Sequence, residues 1–288
     1  MKTKTSGADE RLRFIEFCLF WEGEISRPRI KEQFGISSQQ GSSDIKKYKE
    51  SFPHNIEYSL EQRRYLKTDE FTLEYLKPAS DEYLHFLESV AKKISTRKET
   101  WIKEFPVIDS VEIPSRKIGD KVFKNLISAM NDVASVEIQY TARTSTSTSI
   151  KRITPLALGN DGNRWHLRAF NHDGNRHSDY VLSRITRASK FEKSNATLKD
   201  DKVWNTSVTI QMGPHHELKQ SKQDALEYEY RMKNGSFNVK CSKAMLFYYL
   251  RRYGFNPRPV DGNEMPNESS FGLQVNNFDD VMEWLEVR

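Results

Sequence analysis

The sequence predicts an α+β multidomain fold, and three observations carry that expectation. Apolar residues recur with the 3.6-residue period of amphipathic helices in the first 50 positions, and two short alternating segments follow. From Val136 to Glu192 the period is two, with Asn/Asp/Gly clusters between the segments. Beyond residue 202, strand-like and helix-like segments alternate to the C-terminus. The expected domains are residues 1–78, a helical linker region at 79–134, a β domain at 135–195 and an α/β extension at 203–288. At 288 residues the chain fits two or three domains of roughly 100–200 residues each. Hydrophobic residues make up 36% and charged residues 30%, and 16 Phe, 12 Tyr and 5 Trp supply bulk for real cores, which excludes wholesale disorder. No apolar run approaches the roughly 20 residues of a membrane span. The first seven residues have charge but no apolar stretch, so they do not read as a secretory signal. Two cysteines form neither a disulfide framework nor a zinc site, so the expectation is two reduced thiols in a cytoplasmic protein with no metal and no cofactor.

The first helix is expected at Asp9–Trp21, where Leu12, Ile15 and Leu19 share a face and Cys18 packs beside it. Gly23 ends it. Ser26 offers an N-cap and Pro28 suits a first helical turn, so a short helix spans Arg27–Phe34. Gly35-Ile36-Ser37 makes the tight corner, and Ser37 or Ser38 caps a third helix over Gln39–Glu50. Gly41, Ile45 and Tyr48 fall on one side of this helix and are expected to face the core. The other side shows Gln39, Ser43, Lys46 and Lys47, types that read base edges and phosphates in a major groove. Asn55–Ser59 and Arg64–Thr68 then alternate like the strands of a hairpin. Three helices and a hairpin, in that order, make a winged helix-turn-helix. Its candidate DNA contacts are Ser38, Gln39, Gln40, Ser42, Ser43, Lys46 and Lys47 on the third helix, with Arg63 and Arg64 at the hairpin tip, where a wing meets phosphate or the minor groove.

Asp81–Ile94 is a further amphipathic stretch, Val107–Val111 a candidate short strand, and Lys121–Val133 a helix with Val122, Phe123, Leu126, Ile127 and Met130 on its apolar side. Strands are then expected at Val136–Tyr140, Ile150–Leu158, Trp165–Phe170, Tyr180–Ile185 and Ala188–Glu192, with Thr141–Ser149 as a polar loop. Short strands joined by tight turns argue for a small antiparallel barrel. Trp165 and Leu167 are expected in its core, and His166 and Arg168 share the opposite face of their strand. In the extension, strands are expected at Val203–Met212, Ser236–Cys241 and Phe271–Val275, and helices at Ser221–Tyr228, Ala244–Tyr253 and Asp279–Glu286.

Ile153-Thr154-Pro155-Leu156, Arg164-Trp165-His166-Leu167-Arg168-Ala169-Phe170 and Tyr180-Val181-Leu182-Ser183-Arg184-Ile185 together resemble the WYL domain. That resemblance implies an Sm-like or SH3-like β-barrel in a bacterial transcription regulator. The order of parts resembles the subgroup of WYL repressors found beside phage-defence islands such as BREX and CBASS, as do Ile36-Ser37 and Ser43-Asp44-Ile45. The subgroup implies a homodimer with a winged helix-turn-helix, a WYL domain and a C-terminal dimerisation extension. The chain departs from the family in carrying Trp-His-Leu in place of Trp-Tyr-Leu.

The net charge of +5 is unevenly placed. Residues 140–193 hold ten basic and four acidic side chains, net +6, while residues 1–77 hold 14 and 13, net +1. Within the latter, Arg27–Lys67 holds nine and five, net +4. In the basic island, guanidinium forks suit phosphate and aromatic faces suit bases. The candidate ligand residues are Tyr140, Arg152, His166, Arg168, Tyr180, Ser183, Arg184 and Arg187. They imply a nucleotide, a cyclic nucleotide or a single-stranded nucleic-acid end as effector. His166 would add a group that titrates near neutral pH. No phosphate loop, nucleophile elbow or metal-ligating spacing is present, so an enzyme is not expected. The leading expectation is a homodimeric, effector-gated repressor of double-stranded operator DNA with no membrane partner. The alternative is a single-strand-binding module or nucleic-acid-processing enzyme that uses the basic barrel.

Overall fold

In the computed structural model, the residues described are 7–76, 80–96, 99–111, 114–142, 147–258 and 265–286. The chain divides into two compact units, Met1–Glu112 and Ile113–Arg288.

The first unit begins with α1 (Gly7–Glu22), strand β1 (Glu24–Ile25), α2 (Arg27–Phe34) and α3 (Ser38–Ser51). The α2 helix ends at Gly35, whose φ of 63° is the left-handed geometry a tight helix corner demands. Ser37 caps α3 by accepting from the Gln40 N–H at 3.1 Å; Ser26 sits at the N-cap of α2 but makes no side-chain cap bond. Strands β2 (Ile56–Ser59) and β3 (Arg64–Lys67) form the expected hairpin, and β1 adds to it in the order β1-β3-β2. The core joins Leu12, Phe14, Ile15 and Leu19 of α1 to Ile30, Ile45, Tyr48 and Ile56. Glu16 is also fully buried there. Its carboxylate accepts the backbone N–H groups of Glu74, Tyr75 and Leu76 and the Tyr48 hydroxyl. Those bonds offset the cost of desolvating a charge and pin the segment after the wing to α1. Helix α4 (Ser80–Ala91) packs on the same core through Leu87, Tyr83 and Phe86. The strand expected at Val107–Val111 is absent; those residues are irregular, and both valines are fully exposed.

The second unit opens with α5 (Asp120–Asn131), which covers a five-stranded antiparallel sheet of β4 (Ala134–Tyr140), β5 (Ser149–Asn160), β6 (Trp165–Asn171), β7 (Arg176–Val181) and β8 (Ile185–Lys193). The region expected as a linker is therefore not one body: α4 belongs to the first unit and α5 to the second. Strand order is β7-β6-β5-β4-β8, and among the described residues no ladder closes β7 onto β8. The expected α+β architecture is present, while the expected closed Sm/SH3-like barrel is not found among the described residues; the sheet has bulges between Pro155 and Ala157 and along β4–β8. The strand expected at Tyr180–Ile185 is also redistributed. β7 ends at Val181, a 3₁₀ turn takes Leu182–Arg184, and β8 starts at Ile185. Residues 143–146 of the expected polar loop lie outside the described residues.

A short helix α6 (Lys202–Asn205) leads into the extension, where β9 (Ser207–Pro214), β10 (Phe237–Ser242) and β11 (Leu273–Val275) pair in the order β10-β9-β11. Helices α7 (Gln220–Glu229), α8 (Leu246–Arg252) and α9 (Phe278–Glu286) complete it. Leu246 and Leu250 of α8 and Val281 of α9 pack with Ile210, Met212 and Leu273 in its core. Both cysteines are free and buried. Burial pushes the Cys18 thiol well up and the Cys241 thiol to about 11.

Candidate functional site

Two faces flagged from the sequence have different outcomes. On α3, Gly41, Ile45 and Tyr48 are buried as expected, and Gln39, Ser43, Lys46 and Lys47 are exposed. The helix is oriented by Asp44, which is 4% exposed and takes the Arg11 Nε–H at 2.6 Å. Gln40 donates from Nε2 to the same carboxylate at 3.0 Å, so this candidate base reader is turned along its own helix. Ser42 likewise donates to the Ser38 carbonyl at 2.9 Å. Lys46 faces Glu50 at 3.7 Å, an exposed pair that water weakens. The side chains of Ser38, Gln39, Ser43 and Lys47 are exposed outside these bonds, and Lys46 is held only by its exposed pair with Glu50.

On the wing, Arg63 is exposed at the tip with φ of 52°, and Arg64 is not a free phosphate contact. Its guanidinium holds both oxygens of Glu24 at 2.5 Å, and Lys103 reaches the same carboxylate at 3.1 Å. Hydrogen bonding from Arg64 holds the Glu24 carboxyl below its usual range. Neither Glu24 nor Arg11 was visible as a partner in the sequence, because the pairings join residues 40 and 33 positions apart.

The candidate ligand residues of the sheet do not converge on one pocket. Tyr140 and Tyr180 belong to the core beneath α5, their rings 5.0 Å apart and edge-on, and burial pushes the Tyr180 hydroxyl to about 12. Arg168 lies on the other face of β6 and is 7% exposed. Its fork grips Asp201 through Nε at 2.6 Å and Nη2 at 3.1 Å, and its Nη1 reaches Asp179 at 3.0 Å. Burial alone would raise the Asp201 carboxyl, but the Arg168 bonds and the Trp204 N–H outweigh it and hold the carboxyl low. His166 is also buried. Its Nε2 lies 2.8 Å from Asp161 and its Nδ1 3.3 Å from the Tyr248 hydroxyl of α8. The strand that carries the namesake triplet is thus covered on its outer face by the extension. Arg152 bonds the Ser135 hydroxyl and bridges to Glu192.

Trp165 reverses its expectation. It is 48% exposed, while Leu167 is fully buried, because Trp165 stands at the strand end beside the Asp161–Arg164 turn. It lines a cleft of about 390 Å³ with Arg164, Ser183, Arg116 and Ile118. Arg184 follows Ser183 in the 3₁₀ turn, and Arg187 is exposed on β8. Of the nine described basic residues of the island, Arg152, Arg164, Arg168 and Lys190 bridge to carboxylates; Lys151, Arg176, Arg184, Arg187 and Lys193 stand outside those bridges.

Residues 7–89 match the BrxR transcriptional regulator winged helix-turn-helix domain, residues 121–189 the WYL domain, and residues 207–281 the BrxR C-terminal dimerization domain. The chain thus carries matches to a winged helix-turn-helix, a WYL domain and a dimerization domain, in that order. It is 29% identical over 255 residues to the DNA-binding transcriptional repressor CapW of Pseudomonas aeruginosa, covering 88% of this chain and 85% of that one. The repressor of the same name from Stenotrophomonas maltophilia is 29% identical over 280 residues, covering 97% and 92%. Among solved structures, proteasome accessory factor B/C of Arthrobacter aurescens superposes over 97% of this chain and 46% of its own. Identity is 14% and the TM-score 0.32. Among the described residues, no helix of the chain is long and apolar enough to cross a membrane.

Proposed function

We propose that this regulator is a homodimeric, sequence-specific repressor of double-stranded operator DNA that controls a phage-defence operon. The observation that carries DNA binding is the outer face of α3, where Gln39, Ser43, Lys46 and Lys47 project from a helix anchored by Asp44, Ile45 and Tyr48. The reading gains support from the relatives, which are named DNA-binding transcriptional repressors, and from the match to a dimerization domain. A two-fold dimer spaces two such helices by one or more turns of DNA.

Gating by a nucleotide or nucleic-acid-like effector belongs to the same proposal, with a changed address. Arg168 has its fork filled by carboxylates and Tyr140 is core, so the effector reading rests on the cleft beside Trp165, with Ser183, Arg164 and the adjacent Arg184. An exposed indole face next to guanidinium groups suits a base and its phosphate.

A footprint of the full-length protein on the promoter of its own gene tests the reading. Two protected half-sites related by two-fold symmetry are expected, and protection no stronger than on unrelated DNA would refute it. Trp165→Ala is expected to retain the footprint and lose relief of repression during phage infection. Normal relief in that variant would remove the effector from this cleft.

A further inference from the structure

The wing carries a group that phosphate recognition does not explain. Leu60 opens the turn between β2 and β3 and is 84% exposed. The turn is held in one shape. The Gln62 N–H donates to the Ser59 hydroxyl at 3.2 Å, Arg64 Nε donates to the Gln62 carbonyl at 3.2 Å, and Arg63 is in the left-handed region at φ 52°. Behind it, the third strand and the Glu24 bridge to Arg64 and Lys103 fix the hairpin to the domain. The rings of Tyr58 and Tyr65 pack edge-on at 4.9 Å at its base. Within the turn the charges of Glu61 and Arg63 cancel. Net charge is therefore not what distinguishes the tip. Its distinguishing feature is a branched apolar side chain presented to solvent from a stiff support.

We propose that Leu60 is a minor-groove wedge that enters between two base pairs of the operator and kinks the duplex there. This rests on the DNA-binding reading above and adds a role for the wing within it. Apolar wedges partly unstack a base step and bend DNA by roughly 20–90° toward the major groove. Unstacking is easiest at pyrimidine–purine steps such as TA and CA, so the wedge contributes sequence preference without a hydrogen bond to any base. Arg63, beside it, lies along the groove wall, where a narrow groove concentrates negative potential.

The experiment uses the full-length protein and a fluorescently end-labelled fragment of its own promoter. Wild type is expected to shorten the end-to-end distance by energy transfer, corresponding to a bend of at least about 20° per wing. Leu60→Ala is expected to lose most of that bend and roughly tenfold of the affinity, with its salt slope unchanged. Leu60→Met, which keeps an apolar wedge, is expected to restore the bend. Replacing the TA or CA step under the wing by a purine–pyrimidine step is expected to weaken wild type and leave Leu60→Ala indifferent. Wild type that binds this fragment without bending it, or a Leu60→Ala complex bent as much as wild type, overturns the wedge while the repressor reading stands. Wild type that fails to bind the fragment overturns both. Sedimentation of free Leu60→Ala is expected to match wild type, and a changed oligomeric state would assign the side chain to a protein contact instead.

Discussion

The outer face of α3 and the outer face of β6 carry similar chemistry in the sequence, and the fold treats them in opposite ways. Each presents cations and hydrogen-bonding side chains at the spacing of one element face. On α3 that face stays open, because Asp44 points inward to Arg11 and Glu50 makes only an exposed 3.7 Å pair with Lys46. On β6 the face is closed, because Asp179 and Asp201 fill the Arg168 fork and Asp161 and Tyr248 flank His166. A charge count along the chain cannot distinguish these cases. The sheet region has the larger surplus, but several of its cations are spent within the fold. The helix region is nearly neutral overall yet keeps Lys46 and Lys47 facing outward with Gln39 and Ser43.

The difference can be broken most forcefully at Arg168. If it is a strut between the sheet and the segment that leads into the extension, Arg168→Ala leaves Asp201 buried without its cation and Asp179 without this ion pair. Losing one member of a buried pair costs about 3–5 kcal/mol, readable as a lower midpoint in urea unfolding of the full chain. A variant as stable as wild type would return Arg168 to the list of free ligand contacts. The same strut sets an acid limit. The Asp201 and Asp161 carboxyls are held below their ordinary value near 3.8. Groups with a depressed folded pKa add stability that is present above the unfolded value and lost as pH falls through the folded one. Stability of wild type is therefore expected to fall as pH drops below about 4, and Asp201→Asn, weaker at neutral pH, is expected to show a flatter acid limb. Parallel acid limbs would contradict the assignment. The smallest effect sharpens the helix side. Ser37→Ala removes the α3 cap and is expected to lower the unfolding midpoint by an amount equivalent to about 1 kcal/mol, without changing which promoter is bound.

Much of this arrangement was legible in the sequence. The helix boundaries around Gly35, the buried trio Gly41, Ile45 and Tyr48, and the hairpin at Ile56–Lys67 follow from period, cap and turn residues, which are local signals. β1 was not legible, since two residues cannot show a period. Glu16 did leave a signal, a single acid inside the apolar run from Phe14 to Phe20, and its partners at residues 74–76 could not be read. The site of the sheet was the least legible part. Which face of β6 meets solvent depends on where the extension packs, and Asp201 lies 33 positions from Arg168. Trp165 was misread for a related reason: alternation placed it with Leu167, while its position at the strand end left it without a neighbour to cover it.

The central claim is that the open helix face, and not the more basic sheet, holds DNA. The salt dependence of promoter binding tests it most directly when two charge-matched double variants are compared. Lys46→Ala with Lys47→Ala is expected to weaken binding and lower the slope of log K against log salt by about two units, close to one per phosphate contact. Lys151→Ala with Lys193→Ala, which removes the same charge from the sheet, is expected to keep the wild-type slope. A sheet variant that loses the slope while the helix variant keeps it would contradict the account.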